Sequence, residues 1–414
     1  MLDTAILWEW LNFAVRWAHV VAAIGWIGSS FYFIALDLGL RKHSGLADGV
    51  SGEEWQVHGG GFYHVQKYMV APAALPEHLI WFKWESYATW LTGFAMLCVV
   101  YYVGADLYLI DRNVLDVEAP TAIAISLGSL AIGWLIYDLL CRSPIGNNDL
   151  GLMLLLYVVL IAMAWGYTQV FTGRAAFLHL GAFTATIMSA NVFMVIIPNQ
   201  KKVVAALKAG EAPPAILGIQ AKQRSLHNNY LTLPVIFLML ANHHPLAFAS
   251  EYNWIIASLV FLMGVTIRHY FNSYYGGRGV LLWTWGATLA IFCLIAWVST
   301  LGGVAGQAPD KPAKVSASHQ RFLQHAQFEQ VVEIVTSRCS MCHAAEPVWE
   351  GIRVAPKGVA LETEAQIAKY AHEIYLQSAV SRAMPPGNIT ELEDVDRAVI
   401  LKWYREARSG KGSG

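Results

Sequence analysis

Near its C-terminal end the chain carries Cys339-Ser-Met-Cys342-His343. C-x-x-C-H is the attachment pattern for c-type haem. Two thiols add to the porphyrin vinyl groups, and the adjacent imidazole reaches the iron from one face. The spacing matters because the thiols must straddle one porphyrin edge. A zinc site would need four ligands, and the tail has no second cysteine pair. A thioredoxin-like pair would sit in a βαβ pattern, which is absent here. His343 is therefore the expected iron ligand on one side. Met384, in Ala-Met-Pro-Pro-Gly, is the sole methionine after His343 and the expected ligand on the other, with His372 as its rival. A thioether ligand would raise the potential relative to a pair of histidines.

Two helices must hold such a site. Phe328, Val331, Val332 and Val335 form one apolar stripe leading into the cysteines. Thr390-x-x-Glu393 reads as a capping box for a closing helix with Val399, Ile400, Trp403 and Tyr404. Helix, haem loop, Met loop and terminal helix make a small class I cytochrome c domain over residues 324–410. The stretch before it, 302–318, is rich in Gly, Ala, Pro and Ser and has linker composition; the linker is placed at 304–323.

The rest of the chain has a different character. Over the 414 residues only 14% are charged, against roughly 25% in ordinary soluble domains. The mean hydropathy is +0.43. Residues 304–414 hold 13 basic and 13 acidic residues, while the far longer 1–303 holds 15 and 16. The first part therefore reads as membrane and the second as a water-soluble domain. A net charge of −1 gives no sign of a nucleic-acid partner. A bilayer core needs about 20 apolar residues per helix. Such stretches lie near 14–38, 87–104, 120–140, 150–171, 176–197, 230–249, 253–271 and 280–303. The expected fold is thus all-α: an eight-helix transmembrane bundle over 1–303, then the cytochrome domain.

Basic residues orient the bundle. With the N-terminus outside, the inner loops carry twelve Lys and Arg, Arg41, Lys42, Lys222 and Arg278 among them, and the outer loops only Arg112 and Arg174. Eight spans return the tail to the outside, the compartment where haem is attached covalently. No cleaved leader is expected, because the N-terminus is acidic (Asp3, Glu9) and the basic pair follows the first apolar run. Cys98, Cys141 and Cys293 read as buried, inert thiols.

Ionisable and amide groups inside membrane helices are costly and default to functional candidates. On the outer side His19 and His179 lie at similar depth and, with His243 and His244, offer haem or quinone ligands; each also reads as an ordinary hydrogen-bonded interior histidine. The inner set is denser. Glu77, His78, Lys83 and Glu85 precede the second span, and Asn191 lies in the fifth. His227, Asn228 and Asn229 enter the sixth, while Arg268, His269 and Asn272 leave the seventh. Amide edges and a guanidinium fork suit a small, flat, polar anion; the alternative is a solvated face with interhelical hydrogen bonds.

Three runs carry a resemblance: Arg16-Trp-Ala-His19-Val-Val-Ala-Ala-Ile-Gly-Trp26-Ile-Gly28-Ser, Thr89-Trp90-Leu-Thr-Gly93 and His227-Asn-Asn-Tyr-Leu-Thr-Leu-Pro234-Val. In these, and in the layout of spans plus cytochrome, the chain resembles the membrane-bound bacterial urate hydroxylases (PuuD type). The resemblance implies oxidation of urate to 5-hydroxyisourate in purine breakdown. Electrons would pass to the fused c haem, then to a terminal cytochrome oxidase or a soluble cytochrome c. It implies the bacterial inner membrane, with the N-terminus and cytochrome on the periplasmic side. His19 with Trp26 is also similar to protoporphyrinogen oxidases of the HemJ type, which implies a b-type haem as a possible second cofactor. A single c haem accepts one electron at a time, whereas hydroxylation releases two. The inner set would then hold urate. A quinol-oxidising cytochrome and a metal or haem transporter with a cytochrome sensor are the competing readings.

Overall fold

The computed structural model describes the chain except residues 1–3, 69–75, 113, 302–314, 351, 353–354 and 411–414. The first part of the expected linker, 304–314, lies outside the described residues. Each of the eight apolar stretches falls on a helix: α1 Thr4–Gly39, α2 Trp84–Leu97, α3 Ala119–Arg142, α4 Asp149–Thr168, α5 Gly173–Lys208, α6 Ala215–Leu240, α7 Asn253–Tyr275 and α8 Trp283–Val298. Among the described residues five of these, α1, α3, α4, α5 and α7, are long and apolar enough to cross a membrane, and α8 is apolar but shorter.

The boundaries follow local chemistry. Asn148 caps α4 by accepting from the Gly151 amide at 3.0 Å, and Thr172 caps α5 by accepting from Ala175 at 3.1 Å. α6 begins well before the expected span and runs through Pro234 without a break. It can do so because α7 presents Gly264 to the ring: a Cβ there would lie 2.4 Å from Pro234 Cδ. α5 packs on α2, α3, α4 and α6 and is the central post. In its most apolar window 61% of residues are buried, against none in α1, which stands at the periphery.

One element departs from the all-α expectation. Between α1 and α2 the chain forms an antiparallel hairpin, β1 Val50–His58 and β2 Gly61–Tyr68. Gly59 and Gly60, with φ of 60° and 81°, make the tight turn, the geometry that favours Gly-Gly between two strands. Trp55, Val57, Phe62, Tyr63 and Val65 supply the strand formers. Its base is held by Glu53, which accepts from His43, His64 and Gln66. These bonds hold the Glu53 carboxyl at about 2.

The helices alternate in direction, so the bundle has two ends. The hairpin, Arg41, Lys222 and Arg142 mark one. At the other, the tail packs on the bundle. There Tyr108 OH donates to Glu373 at 2.5 Å, Ser318 Oγ donates to Asp106 at 3.1 Å, and His372 lies 4.0 Å from Glu9. In the tail, α9 Phe328–Arg338 and α10 Asp394–Arg408 share one core with Phe322, Ile367 and Tyr375. Trp403 is its centre, fully buried, with its indole N–H on the Phe322 carbonyl at 3.1 Å. The capping box that opens α10 is Glu393 with Asp396, not Thr390 with Glu393. Thr390 turns its carbonyl to Arg338 instead. Of the three cysteines expected to be buried, Cys98 and Cys141 are half-buried and Cys293 is exposed.

Candidate functional site

Three groups of residues could do chemistry, and the fold keeps them apart. The first is in the tail. α9 delivers Cys339, and burial pushes that thiol up to about 12. The His343 ring turns Nδ1 to the Val359 carbonyl at 2.8 Å, and burial lowers its basicity. That bond fixes the tautomer and leaves Nε2 as a bare lone pair, the orientation an iron-binding histidine needs. The Leu361 amide on the His343 carbonyl at 2.7 Å pins the loop. Met384 is held by its backbone: its amide donates to Gln377 at 2.9 Å and its carbonyl accepts from buried Arg397 at 3.0 Å. His372 is differently placed, with Nδ1 on Tyr404 OH at 2.8 Å and Nε2 toward Glu9. The residues present therefore fit a covalently held haem, and His372 turns both ring nitrogens to other partners.

The second group is the pair expected on the tail side of the bundle. His19 turns Nδ1 to the Thr89 carbonyl at 3.0 Å and to Thr92 Oγ1 at 3.2 Å, and among the described residues Nε2 has no partner. Gly93 makes this possible, since a Cβ there would lie 2.8 Å from the imidazole Cε1. His19 lines an apolar cavity of about 60 Å³ with Trp26, Trp90, Phe94 and Tyr101. His179 does not face it. Both its nitrogens are committed, Nδ1 to the Ala175 carbonyl and Nε2 to Ser126 Oγ, each at 2.8 Å. The two rings thus turn to different surroundings, and only His19 lines the cavity.

The third group is the polar set in the hairpin half of the bundle, and it divides in two. α6 carries His227, Asn228 and Asn229 at successive positions, which point about 100° apart. On one side His227 Nδ1 meets Tyr137 OH at 2.8 Å. Asn191 Nδ2 donates to Tyr137 OH at 3.2 Å and to Asn228 Oδ1 at 3.1 Å, and Asn228 Nδ2 donates to the Met188 carbonyl at 2.9 Å. Arg224 closes this side with a 2.7 Å bond to Asp138, its guanidinium 4.8 Å from the Tyr137 ring centre.

On the other side Asn229 Oδ1 accepts from Arg268 Nε at 3.2 Å and from Asn272 Nδ2 at 2.9 Å. Arg268 Nη2 donates to Asn272 Oδ1 at 3.0 Å, and its guanidinium lies 4.1 Å from the Phe31 ring centre. Arg268 is 5% exposed. Among the described residues no carboxylate pairs with it, and Nη1 donates to nothing. Among the described residues the buried Asn229 Nδ2 beside it has no partner. This is a cationic, donor-rich cluster backed by an aromatic ring.

A known family covers these helices. The model of the family described as Urate oxidase N-terminal matches residues 5–299. The chain belongs to the urate oxidase N-terminal family. No curated protein and no solved structure matches the chain. The family match takes in all eight helices and both polar clusters and ends before the tail. Membership brings urate-related, oxidoreductase character to the helical part and leaves the tail to its own motif.

Within this urate oxidase N-terminal domain, the expected site residues fare unequally. Asn191, His227 and Asn228 meet in one cluster, Asn229 and Arg268 in the other. His269 lies apart, 3.2 Å from Tyr230 OH and beside Trp283. Glu77 and His78 are exposed ahead of α2 and join neither cluster. Tyr137 and Asp138 were missed. Asp138 had a signal, because a carboxylate inside an apolar stretch needs a partner. Phe31 had none: nothing local marks one aromatic of a long apolar helix.

Proposed function

We propose that the chain is a urate hydroxylase of the bacterial inner membrane that passes electrons to its own C-terminal c-type haem. In this reading the eight helices cross the bilayer and the tail lies on the periplasmic side with the N-terminus. The reaction adds water oxygen to urate, giving 5-hydroxyisourate with release of two electrons and two protons. Cys339, Cys342, His343 and Met384 would hold the haem, which would supply a one-electron acceptor. A terminal oxidase or soluble cytochrome c then takes the electrons on.

The observation that carries the reading is Arg268. A charge buried in a membrane helix without a counter-ion is costly, and such groups mark ligand sites. Urate is a planar monoanion with ring N–H and C=O edges. The guanidinium neutralises its charge, the unpartnered Asn229 amide meets a polar edge, and Phe31 backs the guanidinium. Arg268 and its amides bind and orient the substrate. His227, Asn228, Asn191 and Tyr137, on the far side of α6, hold the helix that presents Asn229.

A hydrogen bond to a charged group contributes about 1.5–3 kcal/mol, or roughly 10–100-fold in affinity. Arg268→Gln should weaken urate-dependent reduction of the c haem by that factor in membranes. Reduction by dithionite and the covalent haem content should be unchanged, because the tail folds around its own core. Wild-type haem that stays oxidised with urate would overturn the function. An Arg268→Gln variant that reduces normally would overturn the site.

A further inference from the structure

The family-level chemistry gives the hairpin no task. Its two faces differ. Gln56 lies on the face that rests on α1, where it accepts from Tyr32 OH at 2.8 Å. Glu54 is on the same face and crowds Gly39, where a Cβ would lie 2.2 Å from its carboxylate. Residues directly opposite in an antiparallel pair share a face, so Trp55 with His64 and Val57 with Phe62 form the other. There the Trp55 and His64 rings stack at 4.2 Å. Trp55, Val57 and Phe62 are 63%, 70% and 77% exposed.

The direction of the hairpin decides what that face meets. Gln56 is close to the turn, yet its partner Tyr32 lies seven residues before the end of α1 at Gly39. At 1.5 Å per residue the tip has come back about 10 Å along the helix. The hairpin does not project away from the bundle; it folds back beside it. The apolar run 14–38 spans about 37 Å, a little more than the roughly 30 Å hydrocarbon core. Tyr32 is therefore within a few Å of the hydrocarbon boundary. Phe33 packs on Phe82 at 4.6 Å next to exposed Trp84, continuing the aromatic surface at that level. Such belts of Trp and Tyr mark the membrane interface.

We infer that the outward face of the hairpin, Trp55, Val57 and Phe62, is a lipid-binding surface that inserts into the headgroup layer beside α1. The open strand edges keep it out of the hydrocarbon core, where unpaired backbone is not tolerated. Its polar base, with Glu53 held by two histidines and Gln66, stays at the aqueous rim. The inference rests on the membrane-spanning reading of the helices.

The test places p-benzoylphenylalanine in place of Phe62 in the full chain in native membranes. The same probe in place of Val158, 58% exposed on α4, serves as the control. Irradiation should join both positions to phospholipid, and a third probe in place of Val57 should do the same. Lipid adducts at Val158 but not at Phe62 or Val57 would overturn the hairpin surface alone. A Phe62 adduct to a second copy of the chain would also overturn it. No lipid adduct at Val158 would instead sink the membrane reading.

Discussion

Arg224 and Arg268 are both buried arginines in the hairpin half of the bundle, yet their surroundings differ. Arg224 donates to Asp138 at 2.7 Å, and Arg142 braces the same carboxylate at 2.7 Å. Among the described residues Arg268 meets two amides and an aromatic ring and no carboxylate. The first charge is neutralised by the chain itself and ties α3 to α6. The second is left for something the chain does not supply. A buried pair holds structure, whereas a buried lone cation awaits an anion. The same residue type thus takes two roles according to what faces it.

The largest expected effect lies at the pair. Breaking a buried ion pair by removing one partner costs about 3–5 kcal/mol. Asp138→Ala should lower the thermal unfolding midpoint of the purified protein strongly, while the folded fraction keeps its urate affinity. A stable Asp138→Ala variant with lost urate binding would reverse the two roles.

Arg268→Gln should behave the opposite way. It removes a charge that the apo protein must desolvate without compensation, so thermal stability should hold or rise. Urate should raise the unfolding midpoint of the wild type but not of this variant, since only a ligand that binds the native state stabilises it. A variant that loses stability and responds to urate would break the contrast.

Between these lies His227. Its removal leaves Tyr137 OH without its imidazole and costs about 1–3 kcal/mol. His227→Ala should reduce stability by that amount and lower urate turnover less than Arg268→Gln does. His243→Ala, at an exposed position of the tail end, should leave both unchanged. Urate turnover lost in His227→Ala with Arg268→Gln intact would move the site to the other face of α6.

The smallest effect concerns the contact between bundle and tail. Burial pushes the Glu373 carboxyl above its ordinary value of 4.5, against the pull of Tyr108. The docked form then holds the proton more tightly than a free tail would. Docking is unhindered below the ordinary value and weakens as pH rises through the raised one. Proteolytic release of the tail should accelerate with rising pH, and Glu373→Gln should flatten that dependence. An unchanged pH profile in the variant would assign the dependence to another group.

What could be read from the sequence depended on range. Cys339–His343 is a five-residue pattern, and the chemistry expected of it needs no fold to be read. The apolar stretches fell on helices because lipid-length hydrophobic runs have few alternatives. The hairpin was passed over although Gly59-Gly60 between Trp55-Val57 and Phe62-Tyr63 is a local signal; it sat between two stronger ones. The polar residues of the expected inner set fall into two hydrogen-bonded clusters rather than one. Asn228 and Asn229 are adjacent in sequence and therefore point to different neighbours. The Arg224–Asp138 pair spans 86 positions, and no local spacing encodes it. His19 and His179 turn their rings to different partners for a related reason. Equal depth on two helices does not fix which way each ring turns.

The central claim is that electrons from urate reach the covalent haem of the same chain. Anaerobic membranes containing the full chain would be titrated with urate while the haem spectrum and the urate remaining are followed together. Each urate consumed should reduce a pair of haems, and 5-hydroxyisourate should appear in step. Urate that disappears while the haem stays oxidised, or haem that is reduced while the urate remains, would contradict the account.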